Sequence, residues 1–168
     1  RKHGGHIRVD TEVGKGTAFI IYLPAESGKS EEMSEDRHRP GKGGGRILVM
    51  DDQEMIRNTA GSILRELGYE VEAAAEGSEA IELYRKGIEE SRPYDAVILD
   101  LTIPDGMGGT ETLQELLKID PDVRAIVSSG YSNSSIISGY AEHGFAGVMT
   151  KPYSMNQVSD LLTDLLEK

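Results

Sequence analysis

The sequence of 168 residues contains no cysteine, fewer basic than acidic residues, and no long apolar run. The absence of cysteine excludes disulfide bonds and thiolate metal sites, and it is compatible with a reducing cytosol. With 18 basic and 29 acidic residues, the formal net charge is -11, so the surface should repel nucleic-acid phosphates and anionic lipid headgroups. Since no run approaches the roughly 20 apolar residues of a membrane helix, we expect a soluble, cytoplasmic chain, with any membrane anchor elsewhere in a longer parent protein.

Composition divides the chain into three parts. Residues 1–24 contain two alternating stretches, GHIRVDTE and TAFIIYLP, around the turn sequence GKG, a pattern typical of a β-hairpin. Residues 25–45 have almost no large apolar side chains, which predicts a flexible linker because little surface could be buried to offset the ordering entropy. Residues 46–168 have the length of one full domain. Since the chain begins at Arg1, next to the predicted hairpin, we expect it to be part of a longer protein.

Residues 46–168 alternate short apolar runs with amphipathic segments, as expected of βα units on a parallel sheet. The runs ILVM, AVILD and AIVSS are continuous, which predicts central strands, whereas YEVEAA alternates and suits an edge. We therefore predict a doubly wound α/β domain with five parallel strands. The predicted strands are 46–50, 69–73, 94–99, 123–128 and 145–149, and the predicted helices are 54–67, 78–90, 109–119, 133–142 and 155–167.

Polar residues follow the predicted strands at the edge where open α/β sheets bind ligands. Asp51 and Asp52 follow the first strand and Asp100 follows the third, while Ser129 and Lys151 follow the fourth and fifth. Carboxylates brought together raise one another's pKa unless a cation lies between them, and Mg²⁺ prefers such oxygen ligands. One carboxylate could then attack a phosphoryl group whose oxygens the lysine stabilises. The pattern predicts a magnesium-dependent phosphoryl site.

These motifs resemble the receiver domain of two-component response regulators, and the resemblance covers all of residues 46–168. It rests on the segments VMDDQEMIR, DAVILDLTIPDGMGG, IVSSGYS and GVMTKPY, which are spaced as in that family. The resemblance implies a (βα)₅ flavodoxin-like fold with strand order 2-1-3-4-5. It also implies that a histidine kinase phosphorylates one aspartate, and it allows exchange of that group with a histidine phosphotransfer protein.

Carried over by position, the resemblance implies a metal-binding set and a phosphoryl-binding set. The metal would be Mg²⁺ or Mn²⁺, and its ligands would be Asp51, Asp52, Asp100 and the backbone carbonyl of Thr102. Asp100 would also be the phosphoacceptor, Ser129 the switch hydroxyl and Lys151 the phosphate-binding lysine. Pro152 stands where the family has a proline prone to the cis form.

Position 148 departs from the family pattern. Many receivers carry Tyr or Phe three residues before the lysine, and this chain has Val148. We therefore expect the signal to leave through movement of residues 129–142 or through a different partner surface, and not through an aromatic rotamer. Thr102 and Tyr131 occupy the two flanking positions that tune the lifetime of the phosphoryl group in the family.

The N-terminal stretch HGGHIRVDTEVGKGTAFIIYLP resembles the end of a histidine-kinase ATP-binding domain. Its position before a linker and a receiver implies the C-terminal receiver of a hybrid sensor histidine kinase. Because the other nucleotide-binding boxes are not in the sequence, we expect no ATP binding and no turnover by this chain itself, the kinase activity belonging to the parent. Apolar side chains such as Phe19, Ile21 and Leu23 would then fray or pair with another surface.

Some of the same residues have plainer interpretations. Asp51 taken alone is better explained as a helix N-cap, and Asp105 as a turn residue. A Mg²⁺-dependent phosphotransferase or phosphatase acting on a small substrate through an aspartyl-phosphate would want a second acid two residues after Asp100, where Thr102 stands. A receiver-like scaffold that never accepts phosphate would lack a key residue, and every key residue is present. The phosphoacceptor interpretation is therefore favoured.

Overall fold

A computed structural model describes residues 4–24, 44–130 and 139–166. It divides into two compact units, one containing a hairpin and one containing a five-stranded sheet. The predicted linker 25–45 lies almost entirely outside the described residues, as do Tyr131 and most of the predicted helix 133–142. Within the described residues, none of the helices has the length and apolar character needed to cross a membrane.

The first unit is an antiparallel hairpin, as the alternating pattern predicts. Its strands are β1 (His6–Glu12) and β2 (Gly16–Tyr22). Gly14 lies in the turn with a φ of 77°, a left-handed conformation that glycine adopts without strain. Across the strands Ile7 faces Ile21 and Val9 faces Phe19, and all four side chains are exposed. The hairpin therefore presents one apolar face that none of the described residues 4–24 covers.

The second unit is a parallel sheet in the order β4-β3-β5-β6-β7, which is the predicted order 2-1-3-4-5. The strands are β3 (Arg46–Met50), β4 (Glu70–Ala74), β5 (Ala96–Asp100), β6 (Ala125–Ser129) and β7 (Gly147–Thr150). The helices of the described residues are α1 (Glu54–Glu66), α2 (Gly77–Glu89), α3 (Gly109–Ile119) and α4 (Met155–Leu166), with a 3₁₀ turn at Tyr140–His143.

The core explains why the central strands are continuously apolar. Successive residues of β3 and β5 point to opposite faces of the sheet. Leu48 and Leu99 pack in one buried cluster with side chains of α2 and α3, and Ile47 and Ile98 pack in another with α1 and α4. Because both faces are covered by helices, both sets of positions must be apolar, whereas β4, at one edge of the sheet, has the sequence EVEAA and is less buried.

Three predicted strands begin two residues too early, for one physical reason. The prediction starts them at Tyr94, Val123 and Phe145, which are buried but precede the hydrogen-bonded ladders of β5, β6 and β7. Apolar character indicates burial and not hydrogen-bonded strand pairing. The sequence pattern therefore assigns to the strand the buried residues that precede it. Asp105 has a φ of 57° in a turn, as predicted.

Candidate functional site

Strand ends bring three charged side chains together at one edge of the sheet. Asp51 follows β3, Asp100 is the last residue of β5, and Lys151 follows β7. The Nζ atom of Lys151 lies 2.5 Å from Oδ2 of Asp51 and 2.9 Å from Oδ1 of Asp100. Both carboxylates are buried, with 1% of Asp51 and 7% of Asp100 exposed. One ammonium therefore bridges two buried carboxylates and weakens their mutual repulsion, and the three groups together keep a net negative charge.

The interpretation of Asp51 as a helix N-cap is wrong. Helix α1 begins at Glu54 and its N-cap position is Gln53, whose side chain makes no capping bond. Instead, Oδ1 of Asp51 accepts the backbone N–H of Gln53 at 2.9 Å, and Oδ2 accepts the ammonium of Lys151. Asp51 lies two residues before the cap, so its carboxylate organises the loop and the cationic site and does not cap the helix.

Three carboxylates form a cluster that could hold a cation. Oxygen atoms of Asp51, Asp52 and Asp100 all lie within 4.8 Å of one another, and Asp52 is exposed while the other two are buried. A set of hard oxygen donors with one side open to water fits Mg²⁺, which keeps several of its waters and is held through a few carboxylates. Thr102 is exposed two residues beyond β5, and the role of its carbonyl as a further ligand stays a prediction.

Burial and the neighbouring charged groups together shift the pKa values of Asp100 and Lys151. Burial raises the pKa of Asp100 above its ordinary value, Lys151 lowers it, and the charges of Asp51 and Asp52 raise it, with a net increase. For Lys151, burial lowers the pKa, but the hydrogen bonds to Asp51 and Asp100 outweigh it, so the pKa is raised. The lysine is therefore held in its cationic form. An additional cation close to Asp100 would stabilise its ionised carboxylate.

Two serine residues at the end of β6 bond to residues that follow β7. Ser129 is buried, and its backbone carbonyl accepts the N–H of Lys151 at 2.9 Å. Ser128 points to the other face, where its hydroxyl lies 2.7 Å from that of Tyr153. The bond between Lys151 and Pro152 is cis, as the resemblance implied. Sequence reasoning missed the contact between the hydroxyls of Ser128 and Tyr153, although Tyr153 directly follows Lys151 and Pro152 in the chain.

Sequence reasoning also missed Arg57. Its Nη1 donates to the backbone carbonyls of Asp51 at 2.6 Å and Asp52 at 3.0 Å. The signal was available, because Arg57 stands four residues after Gln53, one helical turn into α1. The side chain could therefore have been expected to reach back over the first turn of the helix.

Comparison with known proteins agrees with this geometry. A family model described as "Response regulator receiver domain" matches residues 47–163. The sensor kinase CckA of Brucella abortus is 32% identical over 181 aligned positions, which cover 100% of this chain and 18% of that protein. The chemotaxis protein CheY of Thermotoga maritima is 32% identical over 120 positions, covering 71% of this chain and 95% of that protein. The chain thus spans less than a fifth of the first relative's length.

A solved structure with the same fold contains a metal ion. The receiver domain of the sensor histidine kinase PA1611 from Pseudomonas aeruginosa was crystallised with a magnesium ion coordinated in the active site cleft. It superimposes with a TM-score of 0.64 at 21% identity, covering 75% of this chain and 100% of that domain. At this identity the likeness is one of fold.

Proposed function

The chain belongs to the response regulator receiver domain family of two-component systems, and from this premise we propose that Asp100 is its phosphoacceptor. Receiver domains of these systems accept a phosphoryl group on an aspartate. The observation that carries the proposal is the ammonium of Lys151, which lies within 2.9 Å of a carboxylate oxygen on both Asp51 and Asp100. A lysine in this position can bind a carboxylate oxygen before the reaction and an oxygen of the phosphoryl group when that group arrives.

The proposed reaction is an in-line displacement on phosphorus. Lys151 holds Oδ1 of Asp100, so Oδ2 is the oxygen proposed to attack. A new O–P bond forms while the bond to the donor, a phosphohistidine or acetyl phosphate, breaks and the leaving group keeps the electron pair. Since Asp100 is the last hydrogen-bonded residue of β5, its carboxylate is positioned by the sheet before the donor arrives. Lys151 would then bind an oxygen of the transferred group.

Receiver domains bind Mg²⁺ in their acidic active site. For this chain we propose Asp51, Asp52, Asp100 and the carbonyl of Thr102 as the ligands, with Mn²⁺ as an alternative to Mg²⁺. When bound, the ion would screen the clustered carboxylates and polarise the phosphoryl oxygens. The three carboxylates themselves support this assignment, because their oxygens are close enough to share one ion.

Ser129 is the proposed switch hydroxyl. It ends β6, which pairs directly with β5, so a movement of Ser129 towards a phosphoryl group on Asp100 would displace the segment that follows β6. Val148 is partly buried against the core and offers no aromatic ring for a rotamer switch. The proposal therefore places the output in the region after Ser129 or on another partner surface.

Receiver domains interact with histidine kinases and with phosphotransfer partners. We propose that the kinase partner of this chain is the upstream part of its own parent protein or another chain, with a histidine phosphotransfer protein as a further partner. The alignment with CckA supports this, since it includes the hairpin as well as the receiver. In this proposal residues 1–24 complete a kinase ATP-binding domain, residues 25–45 are a linker, and the chain works in the cytoplasm, where ATP-dependent kinases act.

Intact-protein mass spectrometry tests the assignment of Asp100. The whole chain is incubated with Mg²⁺ and acetyl phosphate, and we expect a single phosphoryl group on the wild type and none on Asp100→Asn. Asp105→Asn is the matched control, since Asp105 is an exposed turn aspartate in the same loop and asparagine tolerates its positive φ. The control should be labelled like the wild type.

Two results would contradict the proposal. Labelling that persists in Asp100→Asn would place the phosphoryl group on another residue. Release of phosphate with many turnovers and no detectable phosphoprotein would instead indicate an enzyme that acts on a small substrate.

Omission of Mg²⁺ should abolish labelling, because the carboxylates would then repel the anionic donor.

A further inference from the structure

We infer that Arg57 is a positioning residue that fixes the acidic loop for cation binding through the backbone of Asp51 and Asp52. The inference rests on the proposed function, since it concerns how the metal-binding loop of that site is held. It differs from the ligand assignment because, among the described residues, the guanidinium of Arg57 bonds to backbone carbonyls and to no carboxylate oxygen. One guanidinium nitrogen joins two successive carbonyl oxygens.

The contacts of Arg57 are unusual for an arginine beside acids. It is half-buried near three carboxylates, yet among the described residues it forms an ion pair with none of them. Its Nη1 instead donates to the carbonyl of Asp51 at 2.6 Å and to that of Asp52 at 3.0 Å. The arginine therefore orders the loop while it leaves the carboxylate oxygens to Lys151 and to an incoming cation.

The location of Arg57 in its helix points the same way. It is the fourth residue of α1, close to the end where the helix dipole is positive and where a cation is unfavourable. A basic side chain at this end needs a compensating contact. The two carbonyls supply it, and since the side chain reaches back over the first turn, it ties the loop after β3 to the rigid helix.

Two further hydrogen bonds hold the same loop. The N–H of Gln53 bonds to Oδ1 of Asp51, and the N–H of Arg57 bonds to the carbonyl of Gln53 at 3.1 Å. Asp51 is thus held at its carboxylate by Gln53 and Lys151 and at its carbonyl by Arg57. Asp52 is the exposed member of the cluster, and the same guanidinium holds its backbone carbonyl, so the arginine restrains the backbone from which that carboxylate projects.

Two substitutions separate geometry from charge. Arg57→Lys keeps the positive charge but removes the planar donor that reaches both carbonyls, and Arg57→Met removes charge and donor together. The control is Arg65→Lys in the last turn of α1, where Arg65 is exposed and its one side-chain hydrogen bond among the described residues goes to the carbonyl of Val71 at 3.5 Å. Thermal unfolding of each variant checks that the fold is intact.

The first readout is amide hydrogen exchange of the loop in metal-free buffer. We expect Arg57→Lys to speed the exchange of the Gln53 amide, with Arg65→Lys unchanged. The second readout is Mg²⁺ affinity by titration calorimetry, and we expect Arg57→Lys to bind about tenfold more weakly, the lower end of what an outer-shell partner contributes. Both results would support the inference.

A purely electrostatic role would give the opposite pattern. Arg57→Lys would then match the wild type, and Arg57→Met would bind Mg²⁺ more tightly because a cation near the site has been removed. Either of these results would overturn the inference, as would unchanged exchange of Gln53 in Arg57→Lys. A failure of the proposed function is distinct, since it would appear as a wild-type chain that binds no Mg²⁺ or takes no phosphoryl group, while the exchange measurement still decides the role of Arg57.

Discussion

Replacing Lys151 by methionine should destabilise the metal-free sheet unit strongly. Only 13% of the Lys151 side chain is exposed, and its partners Asp51 and Asp100 are 1% and 9% exposed at their side chains. The substitution keeps most of the side-chain volume but leaves two buried carboxylates without their counter-charge. Breaking a buried ion pair from one side costs about 3–5 kcal/mol, and since Asp51 keeps the N–H of Gln53 as a partner, we expect the lower end of that range.

Urea unfolding of the whole chain measures this cost, with far-UV circular dichroism following the helices. A loss of about 3 kcal/mol lowers the unfolding midpoint by about 1–2 M urea when the slope is about 2 kcal/mol per molar. Lys118→Met is the matched control. Lys118 also forms an ion pair, 2.6 Å from Glu115, but the two side chains are 68% and 42% exposed. An exposed pair of this kind contributes about 0–1 kcal/mol.

Mg²⁺ sharpens the comparison. An ion at about 100 times its dissociation constant stabilises a binding-competent fold by about 2.7 kcal/mol. Because Lys151→Met has lost the ammonium that competes for the carboxylates, we expect Mg²⁺ to raise its midpoint more than that of the wild type. If Lys151→Met cost no more than Lys118→Met without metal, the account of Asp51 and Asp100 as carboxylates that depend on Lys151 would be refuted.

Two further predictions concern single hydroxyl groups. Burial, the hydrogen bond to Asp120 at 2.7 Å and the charge of Asp120 raise the pKa of Tyr84 well above its ordinary value of about 10. The folded state then keeps a proton that the unfolded chain releases, so the stabilisation is complete below about pH 10 and is lost as the pH rises further. Tyr84→Phe should reduce the slope of this loss by up to about 1.4 kcal/mol per pH unit, measured by urea unfolding at several pH values. Equal slopes for the wild type and Tyr84→Phe would refute the prediction. Thr110 has a buried Oγ1 with no hydrogen-bond partner among the described residues. Thr110→Val should therefore raise the free energy of unfolding by about 1 kcal/mol, and a loss of stability would show that the hydroxyl is satisfied.

The fold was largely predictable because the apolar pattern of a doubly wound sheet is unambiguous. Continuous runs marked β3, β5 and β6 as central, and the alternating run marked β4 as an edge, which the strand order confirms. The starts of three strands were wrong by two residues, since buried side chains such as Phe145 precede the ladder without joining it. Hydrophobicity measures burial, and the point where hydrogen bonding begins depends on the neighbouring strand.

The site was predictable at the level of strand ends. Asp51, Asp100 and Lys151 follow strands that the rule for open sheets brings to one edge, and the structure places them in direct contact. The rule gives no information about which atom faces which. It left Asp51 open to interpretation as a helix cap, and it did not select Arg57, whose side chain bonds to backbone atoms that have no identity in a sequence pattern.

The sequence by itself therefore determined which chemistry is present: three carboxylates and a lysine at the ends of parallel strands, in a chain with a formal net charge of -11. Only the tertiary structure decided how the charges are balanced. The ammonium of Lys151 reaches Asp51 across 100 positions of the chain, and the guanidinium of Arg57 binds carbonyls in preference to carboxylates. Such choices depend on distances and burial, which arise only when distant segments pack together.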